Sequence, residues 1–272
     1  MNLHNSIPGK MEYIQKVFLG VQNYMQKDHE LEELISFLDN EPPGYRSVAY
    51  ESASMEIGSQ ELSKGSELNA WRNFYRRSAP SHTFHMDIGL GWAFAKNEIS
   101  PLIHLESLHP LNKWMVFDGI GYYHGLFKPR RAVKDQMIPD GIDMQSLHGF
   151  DQGLGRRLWY ISKGNVDQLI QLLKPFQLAR QADLWRGVGI AVGYVGGSNS
   201  SNLEQLLNCS SAFKENLYTG VRLAAISRSA SDSITSDIEL ACEIICSKPL
   251  KAVLSDEKEI ENNFSQYPSM FM

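Results

Sequence analysis

The chain has 272 residues, 43% of them hydrophobic, and a formal net charge of −5 with an isoelectric point near 5.9. That share of apolar side chains suffices for a continuous core, while the acidity argues against a nucleic-acid surface as the main business of the protein. The most apolar run, Gly187 to Gly197, is 11 residues long, short of the roughly 20 a membrane span needs.

In chain order, residues 10–38 read as an amphipathic helix that ends before the break Asn40-Glu-Pro-Pro-Gly44. Helices are expected over Tyr45 to Ile57, Leu68 to Arg77 (broken at Pro80), Thr83 to Lys96 and Leu111 to Leu126. A basic and polar connection with Pro129, Pro139 and Gly141 follows. Further helices are expected near 146–161, 165–174, 180–195, 202–213, 214–228 and 236–246. The division is an N-terminal helix and linker over 1–44, a helical repeat domain over 45–254 and a polar tail over 255–272. The start, Met1-Asn-Leu-His-Asn-Ser, lacks a basic and apolar leader pattern. Three cysteines, Cys209, Cys242 and Cys246, make no disulfide framework, so a reduced, cytoplasmic protein is expected.

Glycine–aliphatic–glycine recurs as Gly89-Leu90-Gly91, Gly119-Ile120-Gly121, Gly153-Leu154-Gly155 and Gly187-Val188-Gly189, with a worn copy at Gly220-Val221-Arg222. Steps of 30, 34, 34 and 33 residues mark a repeat architecture. Residues i and i+2 lie about 200° apart around a helix, so each pair opens space on two opposite flanks. That suits a helix sandwiched closely between two neighbours. The rival reading, a dinucleotide phosphate cradle, is disfavoured because Gly119-x-Gly121-x-x-x-Gly125 has one residue too many. In the first unit Ser52, Ala53 and Ser54 stand where later units use glycine. Asn165-x-x-Gln168, Ser201-x-x-Glu204 and Ser236-x-x-Glu239 read as capping boxes that open a second, shorter helix per unit. The predicted fold is all-α: a superhelical array of helical hairpins of about 34 residues, like a tetratricopeptide solenoid in architecture only.

The motifs Arg46-Ser-Val-Ala-Tyr-Glu51, Gly89-Leu-Gly-Trp-Ala93, Phe117-Asp-Gly-Ile-Gly-Tyr122, Phe150-Asp-Gln-Gly-Leu-Gly-Arg156 and Asp183-Leu-Trp-Arg-Gly-Val-Gly189, with His124-Gly and Leu158-Trp159, carry a resemblance. Between Arg46 and about Ser247 the chain resembles the bacterial domain of unknown function 1702 family, whose members are often described as enediyne biosynthesis proteins. The resemblance implies a setting, natural-product biosynthesis with long unsaturated chains, and supplies neither a reaction nor catalytic residues. Members tend to be longer at the N-terminus, so a first repeat is expected to be missing or degenerate.

Acids stand at matching places beside the glycine pairs: Asp87, Asp118 and Asp151, with Glu51 before Ser-Ala-Ser and Asp183 slightly further upstream. They either pair with arginines and cap helices, or crowd a pocket in which repulsion and burial keep one protonated near neutrality. Asp118, Asp151, Asp87 and His124 are the candidate catalytic groups, with Asp118 the leading acid, Asp151 its expected partner and Arg156 or Arg157 holding whichever acid is ionised. Aromatics cluster beside the same motifs and are read as core or as a ligand wall. The candidate binding set is Glu51, His85, Trp92, Tyr122, Tyr123, Arg156, Arg157, Trp159 and Trp185. His82-x-x-His85 is too short a signal for a metal site, and neither a nucleophile elbow nor a phosphate loop is present, so no metal or cofactor is expected. The reading favours a cyclase- or isomerase-type enzyme acting on a hydrophobic polyene, polyketide or isoprenoid chain by acid–base catalysis. The alternative is a non-catalytic scaffold that binds a peptide or carrier protein. Nucleic acid and a membrane span are not expected.

Overall fold

The protein is described by a computed structural model covering residues 6–104, 108 and 113–255, and all regular structure in those residues is helical. The first helices are α1 (Ile7–Tyr24), α2 (Leu31–Asp39), α3 (Pro43–Leu62), α4 (Asn69–Arg77), α5 (Thr83–Asn97) and α6 (Met115–Phe127). They are followed by α7 (Met144–Ile161), α8 (Val166–Leu173), α9 (Leu178–Val195), α10 (Ser200–Ser210), α11 (Lys214–Ala230), α12 (Ser236–Ile245) and α13 (Leu250–Ser255). The tail expected over 255–272 lies outside the described residues from 256 onward. None of the described helices is long and apolar enough to cross a membrane.

Two local expectations change. The single helix over 10–38 is two, because Gln26-Lys27-Asp28-His29-Glu30 offers no apolar side chain to bury. Glu30 then restarts the chain as α2 by a reciprocal cap with Glu33. Asn165 does cap α8, accepting from the Gln168 amide at 2.9 Å. The next start belongs to Asn199, which accepts from the Asn202 amide at 2.9 Å, so Ser201 lies inside α10. Ser236 likewise lies inside α12, behind Thr235.

Helices α3, α5, α6, α7, α9 and α11 pack each on the next in chain order, and the glycine pairs explain how closely. A Cβ added at Gly119 would strike the Ile88 carbonyl of α5, the helix before, while one at Gly121 would strike the Phe150 carbonyl of α7, the helix after. Gly153 and Gly155 meet Asp118 of α6 and Leu184 of α9, and Gly187 and Gly189 meet Gln152 of α7 and Leu217 of α11. Each glycine hydrogen therefore points at a neighbouring carbonyl, the arrangement of a weak Cα–H···O contact. The worn copies follow from position in the row. In α11 Gly220 still faces Arg186 of α9, but no further long helix follows among the described residues, and Arg222 stands in the second place. In α3 Ser52 Oγ donates to the Phe18 carbonyl of α1 at 3.3 Å, and Ser54 Oγ donates to the Met86 carbonyl of α5 at 2.5 Å.

The shorter helices form a second layer, with α4 on α3, α8 on α7, and α8, α10 and α12 stacked on one another. In two units the described residues hold no second α-helix to complete the expected hairpin. Among the described residues, α5 leads to α6 through a 3-10 turn at Pro101–Ile103, and α6 leads to α7 through a π-helical turn at Arg130–Lys134.

The row of long helices curls. His85 of α5 and Tyr194 of α9 face each other with ring centroids 4.7 Å apart. Arg228 of α11 donates to the Gly44 carbonyl of α3 at 2.9 Å and to the Tyr194 carbonyl of α9. Helix α1 lies across the inner side, packing on α3, α7 and α9. Lys10 pairs with Asp237 at 2.5 Å, which ties α1 to α12.

Candidate functional site

The curl leaves a cavity of about 750 Å³ between α1 and the inner faces of α3, α5, α6, α7 and α9. Its wall has a register set by the glycine motifs. Counting from the first small residue of each pair, the third residue onward is Met55, Trp92, Tyr122, Arg156 or Ile190, and all five line the cavity. The seventh is Lys96, Leu126, Tyr160 or Tyr194 in α5, α6, α7 and α9, and these line it too. Spacings of three and seven keep one face of a helix. The glycine flanks touch neighbouring helices, so this stripe is what the helix has left to turn inward. Helix α1 closes the space with Met11, Ile14 and Phe18.

Seven of the nine expected binding residues line the cavity: Glu51, His85, Trp92, Tyr122, Tyr123, Arg156 and Arg157. Trp159 and Trp185 do not. They are 0% and 2% exposed and belong to the core between the layers. The expected binding set leaves out Tyr160, Ile190 and Tyr194, the last of them one of the aromatics beside the motifs, and everything contributed by α1, Phe18 included. The three- and seven-residue steps would have found Tyr160, Ile190 and Tyr194 on the long helices; α1, which carries Phe18, has no copy of the motif.

The candidate acids separate. Asp151 is held by Arg180 at 2.8 and 2.6 Å, so the expected Asp118–Asp151 partnership is absent. Burial raises its carboxyl to about 6, with Arg180 opposing. Asp87 is 0% exposed and accepts a long 3.4 Å bond from Tyr75 of α4, away from the cavity; burial pushes it well up. His124 lies beside Phe150 on the far side of α6, where burial lowers its imidazole to about 4. The six-residue offset from Asp118 already placed it off that stripe.

Asp118 sits one layer behind the cavity wall. It accepts from Gln152 Nε2 at 2.8 Å and from Arg156, whose guanidinium lies over the Tyr122 ring at 5.0 Å. Gln152 in turn accepts from Arg186 Nε at 2.6 Å, and Arg186 pairs with Asp183, which contacts His148 at 2.7 Å. Asp118, Gln152 and Arg186 each directly precede a glycine pair, so successive helices place them in line. Burial raises the Asp118 carboxyl, and Arg156 and Gln152 oppose that rise. Burial also works against the Arg156 charge, but Asp118 and Glu51 outweigh it and hold the guanidinium charged.

Glu51 holds the same register in α3, directly before Ser52, yet its neighbour in α5 is Ile88. No amide reaches it from that place. Its carboxyl faces the cavity, 7% exposed, and burial raises it to about 8, with Arg156 lowering and Asp118 raising it. Met55, Trp92 and Tyr122 line the cavity with it and belong, with Ile88 and Met115, to one apolar cluster. Neutral His85 completes the set. Burial, then Arg156 and Arg228, lower its imidazole well below the usual range, and its buried Nδ1 has no hydrogen-bond partner among the described residues. Chemically, this is a protonated carboxylic acid and a neutral base in an aromatic enclosure.

Comparison with curated proteins and with solved structures returns no match. One family model matches, described as "Protein of unknown function (DUF1702)", over residues 2–267, so α1 is matched along with the glycine-bearing helices from which the likeness was read. The chain belongs to the DUF1702 family.

Proposed function

We propose that this protein is a natural-product biosynthesis enzyme that cyclises or rearranges a hydrophobic polyene, polyketide or isoprenoid chain by acid–base catalysis in the cavity. The observation that carries the reading is Glu51, a carboxyl kept protonated at neutral pH by burial among aromatic and aliphatic side chains. The acid is therefore Glu51 rather than Asp118. Asp118 is a positioning residue that orients Arg156.

In the proposed step the Glu51 O–H proton passes to one carbon of a double bond, forming a C–H bond and leaving a cation on the adjoining carbon. A second double bond of the same chain attacks that cation and closes a ring. Trp92 and Tyr122 stabilise the cation through their ring faces. Loss of a C–H proton to His85 restores a double bond. Proton exchange with solvent resets both residues, and the net reaction is a redox-neutral isomerisation. The family setting supports the substrate class, and the row of long helices is read as a superhelical, tetratricopeptide-like array curled around that substrate.

The test is product analysis after co-expression with the neighbouring biosynthetic genes, with the parent chain and with Glu51→Gln. The amide keeps the shape and neutrality of the acid but has no proton to give, so the expected result is loss of product with an unchanged melting temperature. Product formation by Glu51→Gln would end the acid assignment. The exposed apolar residues Leu19 and Phe127 at the cavity rim favour one second reading, a scaffold that receives a carrier protein there. The cover that α1 places over the inner face supports a small-molecule site over a long open groove.

A further inference from the structure

We infer that the ligand of this cavity carries an anionic head, a carboxylate or a phosphate, seated on Arg157 beside Arg156, with its apolar chain lying along Phe18, Met55 and Trp92. The inference rests on the proposed reading of the cavity as the substrate site and adds the chemistry of one end of the substrate.

Three observations carry it. First, the two arginines that line the cavity are unequal. Arg156 has Asp118 as a counter-ion, whereas no carboxylate among the described residues lies within ion-pair distance of Arg157, whose polar neighbour is the Tyr122 hydroxyl. Second, Nε of both arginines is buried without a hydrogen-bond acceptor among the described residues. A buried guanidinium N–H left unmade is costly, and since Nε itself has no surface toward the cavity, the compensation falls to the remaining guanidinium N–H groups, to which a ligand oxyanion offers charge-assisted bonds. Third, the position is built. A Cβ on Gly125 of α6 would come within 2.9 Å of Arg157 Cγ and 2.9 Å of Leu154 Cδ1, so glycine at 125 makes the channel through which the arginine stem passes.

The charge balance agrees. At neutral pH Glu51 is largely protonated, and Asp118, behind the wall, pairs with Arg156, so the charge of Arg157 is the one left without a counter-ion on this side of the cavity. An uncharged polyene that covers the half-buried Arg157 sets hydrocarbon against its charge, which is unfavourable. A fatty-acid-like ligand cancels it, and the planar guanidinium fork matches a carboxylate in a way that a lysine ammonium does not.

The probe is cis-parinaric acid, a fluorescent polyene carboxylate, titrated at pH 7 against its methyl ester. The parent should bind the acid at least about tenfold more tightly than the ester. Arg157→Gln should weaken the acid roughly 10- to 100-fold and leave the ester unchanged, so that the two become equal. Met55→Trp, which fills the apolar end, should weaken both. Displacement by oleate as against oleyl phosphate tells which anion the head accepts. Equal binding of acid and ester by the parent, or an acid preference that survives Arg157→Gln, overturns the anionic head while leaving the cavity reading intact. Failure of the parent to bind either probe overturns the cavity reading itself, and the inference with it. Should Arg157→Gln fold poorly, Arg157→Lys keeps the charge without the fork, and a reduced acid preference there supports the same conclusion.

Discussion

Gly121→Ala tests the packing of the long helices, because helix propensity and packing predict opposite signs. In an open helix the change should stabilise by about 1 kcal/mol. At Gly121 the new methyl would land on the Phe150 carbonyl oxygen, with Phe150 Cα only 3.0 Å away. Both are backbone atoms, so no rotamer change relieves the clash and α6 must part from α7. A gap of about 1 Å forfeits up to about half of each dispersion contact along the seam. Over-packing costs about 1–3 kcal/mol and more when backbone must move, which leaves a net loss of about 2 kcal/mol after the propensity gain. For a chain of this size that lowers the melting temperature by roughly 4–8 °C. Gly155→Ala, against Leu184 of α9, should behave alike. Gly20→Ala in α1 is the control, since no atom lies within 4 Å of the added methyl, and it should raise the melting temperature by a few degrees, about what 1 kcal/mol provides. The assay is thermal melting followed by far-ultraviolet circular dichroism. Gly121→Ala melting at or above the parent would remove close helix approach from the account of the fold.

Asp118→Asn should destabilise by about 3–5 kcal/mol, because it strands the buried Arg156 charge; a melt within a few degrees of the parent would show that the pair contributes little. Glu51 sets a pH dependence. Its carboxyl ionises near 4.5 unfolded and near 8 folded, so across that window the unfolded state binds fewer protons and stability falls as pH rises. Glu51→Gln should flatten the part of that fall due to this residue, read from denaturant midpoints at pH 5 and pH 8; an unchanged slope would mean that the acid ionises normally in the folded protein. Ile88→Gln places an amide toward Glu51 as Gln152 is placed toward Asp118, which favours the carboxylate. The upper pH limit of product formation should drop, and an unshifted profile would refute the register argument.

The fold was legible where a residue has one physical use. Gly-x-Gly in a helix has few other reasons to recur, so the sandwiching of α5, α6, α7 and α9 could be read from spacing alone, down to the serines of α3. The polar connection between α6 and α7 was legible from Pro129, Pro139 and Gly141, but its π-helical turn was not, because those residues announce a break without fixing its shape. The site was legible as a composition and not as a geometry. Glu51, Trp92, Tyr122 and Arg156 were named, but acids at matching sequence positions do not share an environment. Asp87 and Asp151 precede their glycines by two residues, Asp118 and Glu51 by one, and a shift of one residue turns a helical side chain by about 100°. That single step sends Asp151 to Arg180 and keeps Asp118 behind Arg156.

The register one residue before the small pair shows how a repeat can create a site without a special motif. The occupants along the row are Glu51, Ile88, Asp118, Gln152 and Arg186. Asp118 and Gln152 each find a hydrogen-bonding neighbour on the next helix, and with Arg186 they form a buried polar line. A fully paired network of this kind is stable and chemically quiet. Ile88 interrupts it. The residue on the other side of the interruption keeps the ladder position and loses the ladder partner, so Glu51 is the acid that burial can hold protonated, while Asp118, in the same register, is held by Arg156 and Gln152. The reactive position is therefore set by an aliphatic side chain on the neighbouring helix as much as by the acid itself.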